Sequence, residues 1–267
     1  MSPRKITVST LKQMKAEGER FAVLTAYDAS FAYQLEQNGV EVILVGDTLG
    51  MVIQGLDTTL PVSIDDVIYH TRAVRRGATS VLIMADMPFM SDATPELAVR
   101  NAGRLMKEGG AHIVKLEGGA NQEEVVRRLS ELGIPVCSHL GLQPQSVHKL
   151  GGYKVQGREA SMAEQILSDA GRLVEAGADM LLLECVPREL AAQVTNSVSV
   201  PVIGIGAGPD TDAQVLVLYD MLGITPGHRP KFSHDFLAGS ESIADAIQAY
   251  VESVKQGSFP DAEHSFK

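Results

Sequence analysis

A set of ionisable side chains closes apolar runs along this chain: Asp47 after VILVG, Asp86 after VLIMA, Lys115 and Glu117 within HIVKLEG, His139 within PVCSHLG, and Glu184 after LLL. A buried carboxylate is costly to desolvate, so it needs a cation, a metal or water beside it. Asp47, Asp86 and Glu117 end successive runs, and neighbouring carboxylates repel one another unless something cationic sits among them. Oxygen-only donors suit a hard cation. Mg²⁺ commonly takes one or two carboxylates and completes its shell with waters and substrate oxygens. Asp47, Asp86 and Glu117 are therefore read as a Mg²⁺ site with part of its shell open to substrate.

Lys115 and Glu117 stand at i and i+2, which on a strand points both the same way. A lysine in a polar pocket suits a bound anion such as a carboxylate or an enolate; a salt bridge to a neighbouring carboxylate is the other reading. His139 suits orienting a substrate or moving a proton, or else capping the LGLQPQS loop that follows it. Glu184 has an apolar setting, which raises a carboxyl pKa toward the range of a proton-transfer group. A metal, a lysine and an opposed carboxylate base suit enolisation of a 2-oxo acid. The metal polarises the keto and carboxylate oxygens, the base removes the C3 proton, and the enolate attacks an electrophilic carbon. Residue types and spacing lead as far as metal-assisted carbon–carbon bond chemistry and do not name the electrophile.

These residues act together only if the backbone delivers them to one place. Apolar runs at 21–27, 40–47, 80–87, 112–118, 135–141, 180–185, 201–208 and 214–222 are strand-sized. Several are continuous and β-branched, as in strands covered on both faces. Helical stretches lie between most of them. IDDVIYHTRAVRRGA follows an N-cap at Ser63, and TPELAVRNAGRLMKEGGA opens on Thr94 with Pro95 in its first turn. NQEEVVRRLSELG, SMAEQILSDAGRLVEAGA, PRELAAQVTNSVS and ESIADAIQAYVESVKQG repeat the design. The link between the seventh and eighth runs leaves room for a single helical turn. This alternation predicts an α/β fold, a closed (β/α)8 TIM barrel over residues 1–267 as one domain. A helix from about Thr10 is expected to cap the barrel bottom. A doubly wound open sheet is the alternative.

In such barrels chemistry gathers at the C-terminal ends of the strands. Tyr27, Asp28 and Asp220 also fall at run ends, and the GIGAG turn at 204–208 offers backbone N–H groups to an anion. A single acid at a strand end is ordinarily a helix cap or a turn former; convergence of several on one rim is what points to a site.

The net charge of −10 argues against a nucleic-acid partner, while a local lysine or metal keeps an anionic small substrate compatible. No run approaches the roughly 18 apolar residues of a membrane helix. MSPRKITVST lacks the apolar core of a secretory signal. A cytoplasmic protein without membrane association is expected. Cys137 and Cys185 sit in apolar runs and are read as buried small hydrophobes rather than as a disulfide or metal framework.

TAYD (25–28), VGDTLGMVIQGLDTTLPV (45–62), YHTRAVRRGA (69–78), ADMPFM (85–90), VKLEGG (114–119), HLGLQPQS (139–146), GGYKVQGR (151–158), LLLECVP (181–187), PVIGIGAG (201–208) and FPDAEHSF (259–266) follow one another over nearly the whole chain. Together they resemble the ketopantoate hydroxymethyltransferase family. The resemblance implies a barrel of the phosphoenolpyruvate/pyruvate superfamily. It implies transfer of a hydroxymethyl group from 5,10-methylenetetrahydrofolate to 3-methyl-2-oxobutanoate, giving 2-dehydropantoate for pantothenate synthesis through a Mg²⁺-stabilised enolate. It also implies a cytoplasmic homo-oligomer, a decamer. Matched through the motifs, Asp47 and Asp86 are metal ligands and Glu117 is metal-associated. Asp47, Thr48, Asp86 and Lys115 contact the oxo acid, His139 is an active-site residue, and Glu184 is the proton acceptor. Many relatives carry serine where Thr48 stands; threonine keeps the hydroxyl and stiffens χ1. A metal-dependent C–C or C–P lyase of the same superfamily is the alternative activity. Such a lyase needs no folate and often carries a reactive cysteine in a mobile loop, where neither Cys137 nor Cys185 falls. A barrel without chemistry, serving only to bind, predicts gaps among the polar strand ends, and the sequence has none.

Overall fold

All eight apolar runs become parallel strands of one closed barrel: β1 (Phe21–Thr25), β2 (Val42–Val45), β3 (Leu82–Asp86), β4 (Ile113–Glu117), β5 (Val136–Gly141), β6 (Met180–Glu184), β7 (Val202–Ile205) and β8 (Ala213–Leu216). The order is sequential, and pairing of β1 with β8, with Val23 opposite Val215, closes the ring. This is a computed structural model that describes residues 5–227 and 229–267. Residues 1–4 of the MSPRKITVST stretch, and so the start of the 1–267 barrel reading, lie outside the described residues.

Helix α1 (Val8–Glu17) precedes β1. Then come α2 (Ala29–Gln37), α3 (Leu49–Val52), α4 (Ile64–Gly77), α5 (Pro95–Arg104), α6 (Glu123–Glu131), α7 (Val147–Leu150), α8 (Ala160–Glu175) and α9 (Arg188–Ser197). After β8 follow α10 (Leu218–Met221) and α11 (Ile243–Gln256). The caps fall where side chains satisfy the free N–H groups of a first turn. Ser63 accepts from Asp66 N and Thr94 from Leu97 N, with Pro95 in the first turn of α5. The first helix starts earlier than expected, because Thr7 is its N-cap and Thr10 completes a reciprocal capping box.

Alternation along the strands builds two cores. Phe21, Val23, Val42, Leu44, Leu82, Met84, Cys137, Leu182 and Val215 fill the barrel interior. Leu24, Ile43, Ile83, Leu116, Leu181 and Leu183 face outward onto the helices. Leu11 of α1 is fully buried in the interior core, with Val8 and Met14 packed against it, so this helix plugs the bottom as expected. Lys12 and Lys15 pin it there through Asp179 and Asp212, each at 2.7 Å, the residues just before β6 and β8. Cys137 and Cys185 are free and buried. Among the described residues no helix is long and apolar enough to cross a membrane.

Two local expectations fail. The run at 214–222 is strand only to Leu216; its remainder forms α10. No helix joins β7 to β8, because the link is a turn in which Gly206 and Gly208 adopt left-handed conformations (φ +58° and +76°). The Asp212 carboxylate accepts from Val202 N at 2.8 Å and closes that turn.

Candidate active site

Register decides which side chains meet. Across adjacent strands Asp86 pairs with Lys115, Glu117 with His139, and Gly141 with Glu184. Lys115 and Glu117 continue the inward-facing series begun by Ile113, as Glu184 continues that of Met180 and Leu182. Asp47, Asp86, Lys115, Glu117, His139 and Glu184 therefore line one cavity of about 50 Å³ at the C-terminal end of the barrel, with Thr48 beside them and Leu44, Leu182, Ile205 and Val215 as its apolar wall. The strand-end residues converge as expected, and so does Thr48.

Lys115 is the hub. Its Nζ lies 3.2 Å from Asp86 Oδ1 and 3.2 Å from His139 Nδ1. An ammonium only donates, so Nδ1 accepts and the imidazole proton sits on Nε2. That Nε2 lies 3.3 Å from Glu184 Oε2, while Glu117 Oε1 is 3.7 Å from Nδ1. Both alternative readings of Lys115 thus meet in one residue, which is salt-bridged and also faces the cavity. Asp47 N donates to Asp86 Oδ2 at 2.9 Å. Gly46 makes room for the Thr48 hydroxyl: a Cβ there would stand 2.9 Å from Thr48 Oγ1, while 3.5 Å from Asp86 Oδ2 is ordinary contact. The Thr48 hydroxyl is 2.7 Å from the Tyr27 hydroxyl. His70 in turn donates from Nδ1 to Tyr27 O at 2.7 Å.

Burial dominates the electrostatics. It pushes the Glu184 carboxyl up to about 7, with Lys115 pulling the other way. Asp47 is also pushed up to about 7, by burial and by Asp86, against the pull of Lys115 and a hydrogen bond from Gln145. Burial likewise raises Glu117 well above the usual carboxyl range, Lys115 again opposing. Burial works against the Lys115 charge, yet Asp86, Glu117 and Asp47 outweigh it and hold the ammonium firmly protonated. Burial and then Lys115 drive His139 well below its ordinary value, so the ring is neutral and its contacts with Glu117 and Glu184 are polar rather than ionic. Assembling this cluster therefore opposes folding through desolvation.

Hard oxygen donors are present for a cation. Asp86 Oδ1 and Glu117 Oε1 are buried and have no hydrogen-bond partner among the described residues. Among the described residues no three His, Cys, Asp or Glu side chains stand close enough together to hold a metal by themselves. Mg²⁺ needs only one or two carboxylates with waters and substrate oxygens, so the donor set fits it.

Other strand-end residues do different work. Asp28 caps α2, its Oδ1 accepting from Ser30 N and Phe31 N. Asp220 lies on α10 and accepts from the Thr225 hydroxyl. Gly206 of the GIGAG turn lies under Phe232 and Phe266, each 3.0 Å from where a Cβ would stand, which is a packing use of glycine. Gln145 reaches the cavity's carboxylates without any sign in the sequence. It donates from Nε2 to Asp47 Oδ2 at 2.8 Å and to Met87 O at 3.0 Å, and from its backbone N–H to Glu117 Oε2 at 3.1 Å. Nothing in the LGLQPQS stretch signals this, because the contact with Asp47 joins residues 98 apart.

A family model described as ketopantoate hydroxymethyltransferase matches residues 5–262. A 3-methyl-2-oxobutanoate hydroxymethyltransferase of Alkalilimnicola ehrlichii is 59% identical over 263 residues, covering 98% of this chain and 95% of that protein. One from Hahella chejuensis is 60% identical over 261 residues, covering 98% of each. Among solved structures, phosphonopyruvate hydrolase in complex with oxalate and Mg²⁺ shares the fold at TM-score 0.61, with 13% identity over 79% of this chain and 80% of that one. A 2,3-dimethylmalate lyase of the PEP mutase/isocitrate lyase superfamily does so at TM-score 0.58, with 17% identity over 83% of this chain and 84% of that one.

Proposed function

The chain belongs to the ketopantoate hydroxymethyltransferase family, and on that ground we propose that it transfers a hydroxymethyl group from 5,10-methylenetetrahydrofolate to 3-methyl-2-oxobutanoate, forming 2-dehydropantoate. The observation that carries the chemistry is a largely buried carboxylate, Glu184, pushed up to about 7 and sharing one cavity with the Lys115–Asp86 pair.

Asp47 and Asp86 would hold Mg²⁺, with Glu117 beside it. When bound, the ion supplies Lewis-acid polarisation of the keto oxygen. Lys115, protonated throughout the working range, faces the oxygen on which negative charge develops. Thr48, its hydroxyl held by Tyr27, contacts the oxo acid. Glu184 accepts the C3 proton. His139, neutral, stands with Nε2 3.3 Å from Glu184 Oε2 but without a formed hydrogen bond, near enough to exchange a proton with it. The apolar wall of Leu44, Leu182, Ile205 and Val215 keeps water from the carbanionic carbon. Folate supplies the electrophilic one-carbon unit as a methylene; one water provides the hydroxyl of the new hydroxymethyl group, and tetrahydrofolate leaves. Residues 1–267 act as one barrel domain in the cytoplasm, without nucleic acid or membrane as partner. Assembly is as a homodecamer, with exposed Tyr69, Phe89 and Met90 among the apolar side chains available to an interface.

The lyase alternative is disfavoured by 60% identity to a hydroxymethyltransferase over 98% of the chain. Proton exchange tests the proposal. The protein is incubated with 3-methyl-2-oxobutanoate in D₂O, with Mg²⁺ or with EDTA, with and without tetrahydrofolate, and NMR follows the C3 proton. Loss of that signal dependent on Mg²⁺ is expected; no exchange in any tube from folded protein would reject the assignment.

A further inference from the structure

Gln145 enters the barrel mouth from the loop after β5, on the single 3-10 turn Pro144–Ser146, and the reaction above gives it no part. Its hydrogen bonds all end on the carboxylates or on the backbone that carries them. A primary amide has two N–H donors, and both are used: one on Asp47 Oδ2 and one on the carbonyl of Met87, the residue after Asp86. The backbone N–H goes to Glu117 Oε2. One residue thereby touches the ends of β2, β3 and β4 at once.

The pattern of engaged oxygens is selective. Gln145 takes Oδ2 of Asp47 and Oε2 of Glu117, and the Asp47 N–H takes Oδ2 of Asp86. Asp86 Oδ1 and Glu117 Oε1 are left buried and without a hydrogen bond among the described residues. These two oxygens border the same Lys115–His139 contact: Asp86 Oδ1 is ion-paired with Nζ at 3.2 Å and Glu117 Oε1 lies 3.7 Å from Nδ1. An amide that ties one oxygen of a carboxylate fixes its rotamer and leaves the second oxygen for another partner.

We propose that Gln145 is a positioning residue for the metal-binding carboxylates, holding Asp47 and Glu117 so that their remaining oxygens face the cation. This inference rests on the Mg²⁺ reading given above. Hydrogen-bond partners behind metal ligands set ligand orientation, and losing one typically lowers metal affinity by about 10- to 100-fold.

Calorimetry of Mg²⁺ binding tests it. Gln145→Met keeps the length of the side chain and the backbone N–H to Glu117 but has no side-chain donor; Gln145→Leu serves if the methionine variant does not fold. Gln143→Met, in the same loop, is the control. The expected result is Mg²⁺ affinity about 10- to 100-fold weaker in the Gln145 variant, an unchanged melting temperature, and recovery of C3-proton exchange at saturating Mg²⁺. A merely structural role would not be rescued by metal. Unchanged Mg²⁺ affinity in a folded Gln145 variant, or an equal loss in Gln143→Met, would overturn the inference alone. Absence of Mg²⁺ binding by the unmodified protein would overturn the metal reading and this inference with it.

Discussion

As the proposed base, Glu184 would have to be ionised to take a proton, and it lies where ionisation is disfavoured. Burial brings its carboxyl up to about 7, which matches a general base to neutral conditions. The base form then accumulates as pH rises toward 7, so log turnover should climb with a slope of about one below that pH and level off above it. A rapid-quench pH series reads the limb directly. Glu184→Gln should leave binding of the oxo acid nearly intact and lower turnover by about 100-fold or more. Turnover that survives the substitution would pass the role of base to His139. These residues are readable in the sequence because each interrupts an apolar run, as Glu184 does after LLL. Tyr27 stands out only as a run end, and its contact with Thr48 is formed between separate loops. Gln145 is invisible for the same reason, since no local pattern marks a loop residue whose partners come from three other strands.

At the level of elements, the end of β6 is held from both sides. Leu142 N, just past β5, donates to Glu184 O at 2.8 Å; Cys185 N donates to Ile205 O, and Cys185 O accepts from Gln156 N. Cys185 itself is left-handed at φ +49°, an unusual conformation for a residue with a side chain. Gly141 permits this staple. Its φ is +90°, and a Cβ there would fall 2.2 Å from Glu184 O. Gly141→Ala should cost about 1–3 kcal/mol in backbone strain alone and push Glu184, the proposed base, off its position. Turnover should therefore fall more than Mg²⁺ affinity does, as measured by steady-state rates beside calorimetry; equal losses in both would mean that the whole mouth had moved. The strands themselves are legible because inward and outward faces are both apolar in a doubly covered sheet. The run at 214–222 misleads because strand and helix ends look alike when most residues are buried and apolar: Leu218 and Met221 of α10 are as apolar as the strand before them. The missing helix between β7 and β8 reflects a link too short to hold one once two glycines turn it.

For the whole molecule, the barrel supplies the stability that offsets the unfavourable burial at its mouth. Two apolar cores, one inside the strands and one between strands and helices, surround carboxylates that burial disfavours. In an unfolded chain Glu184 titrates near about 4.3, whereas in the folded protein it titrates at about 7. Between those values the folded state holds a proton that the unfolded state has released. Its contribution is therefore fully present below about pH 4, declines as pH rises toward 7, and is absent above that. Asp47 and Glu117 act in the same direction. His112 acts in the opposite one: burial, Arg75 and Lys5 lower it to about 4, and its Nδ1 accepts from Ile83 N, so charging it on acidification costs stability. The slope of stability against pH is thus a sum of opposed parts, and a difference between two proteins isolates one of them. Glu184→Gln should match the unmodified protein near pH 4 and exceed it by about 1–3 kcal/mol at pH 8, since a tenfold change in proton affinity corresponds to about 1.4 kcal/mol and neighbouring carboxylates share the effect. Urea unfolding at a series of pH values without Mg²⁺ measures that difference. A difference that stays flat from pH 4 to 8 would mean that Glu184 is not desolvated by the fold, and the physical basis for its role as base would fall with it. A gain that grows with pH would show the same burial acting twice, raising the affinity of the base for a proton and lowering the stability of the barrel that holds it.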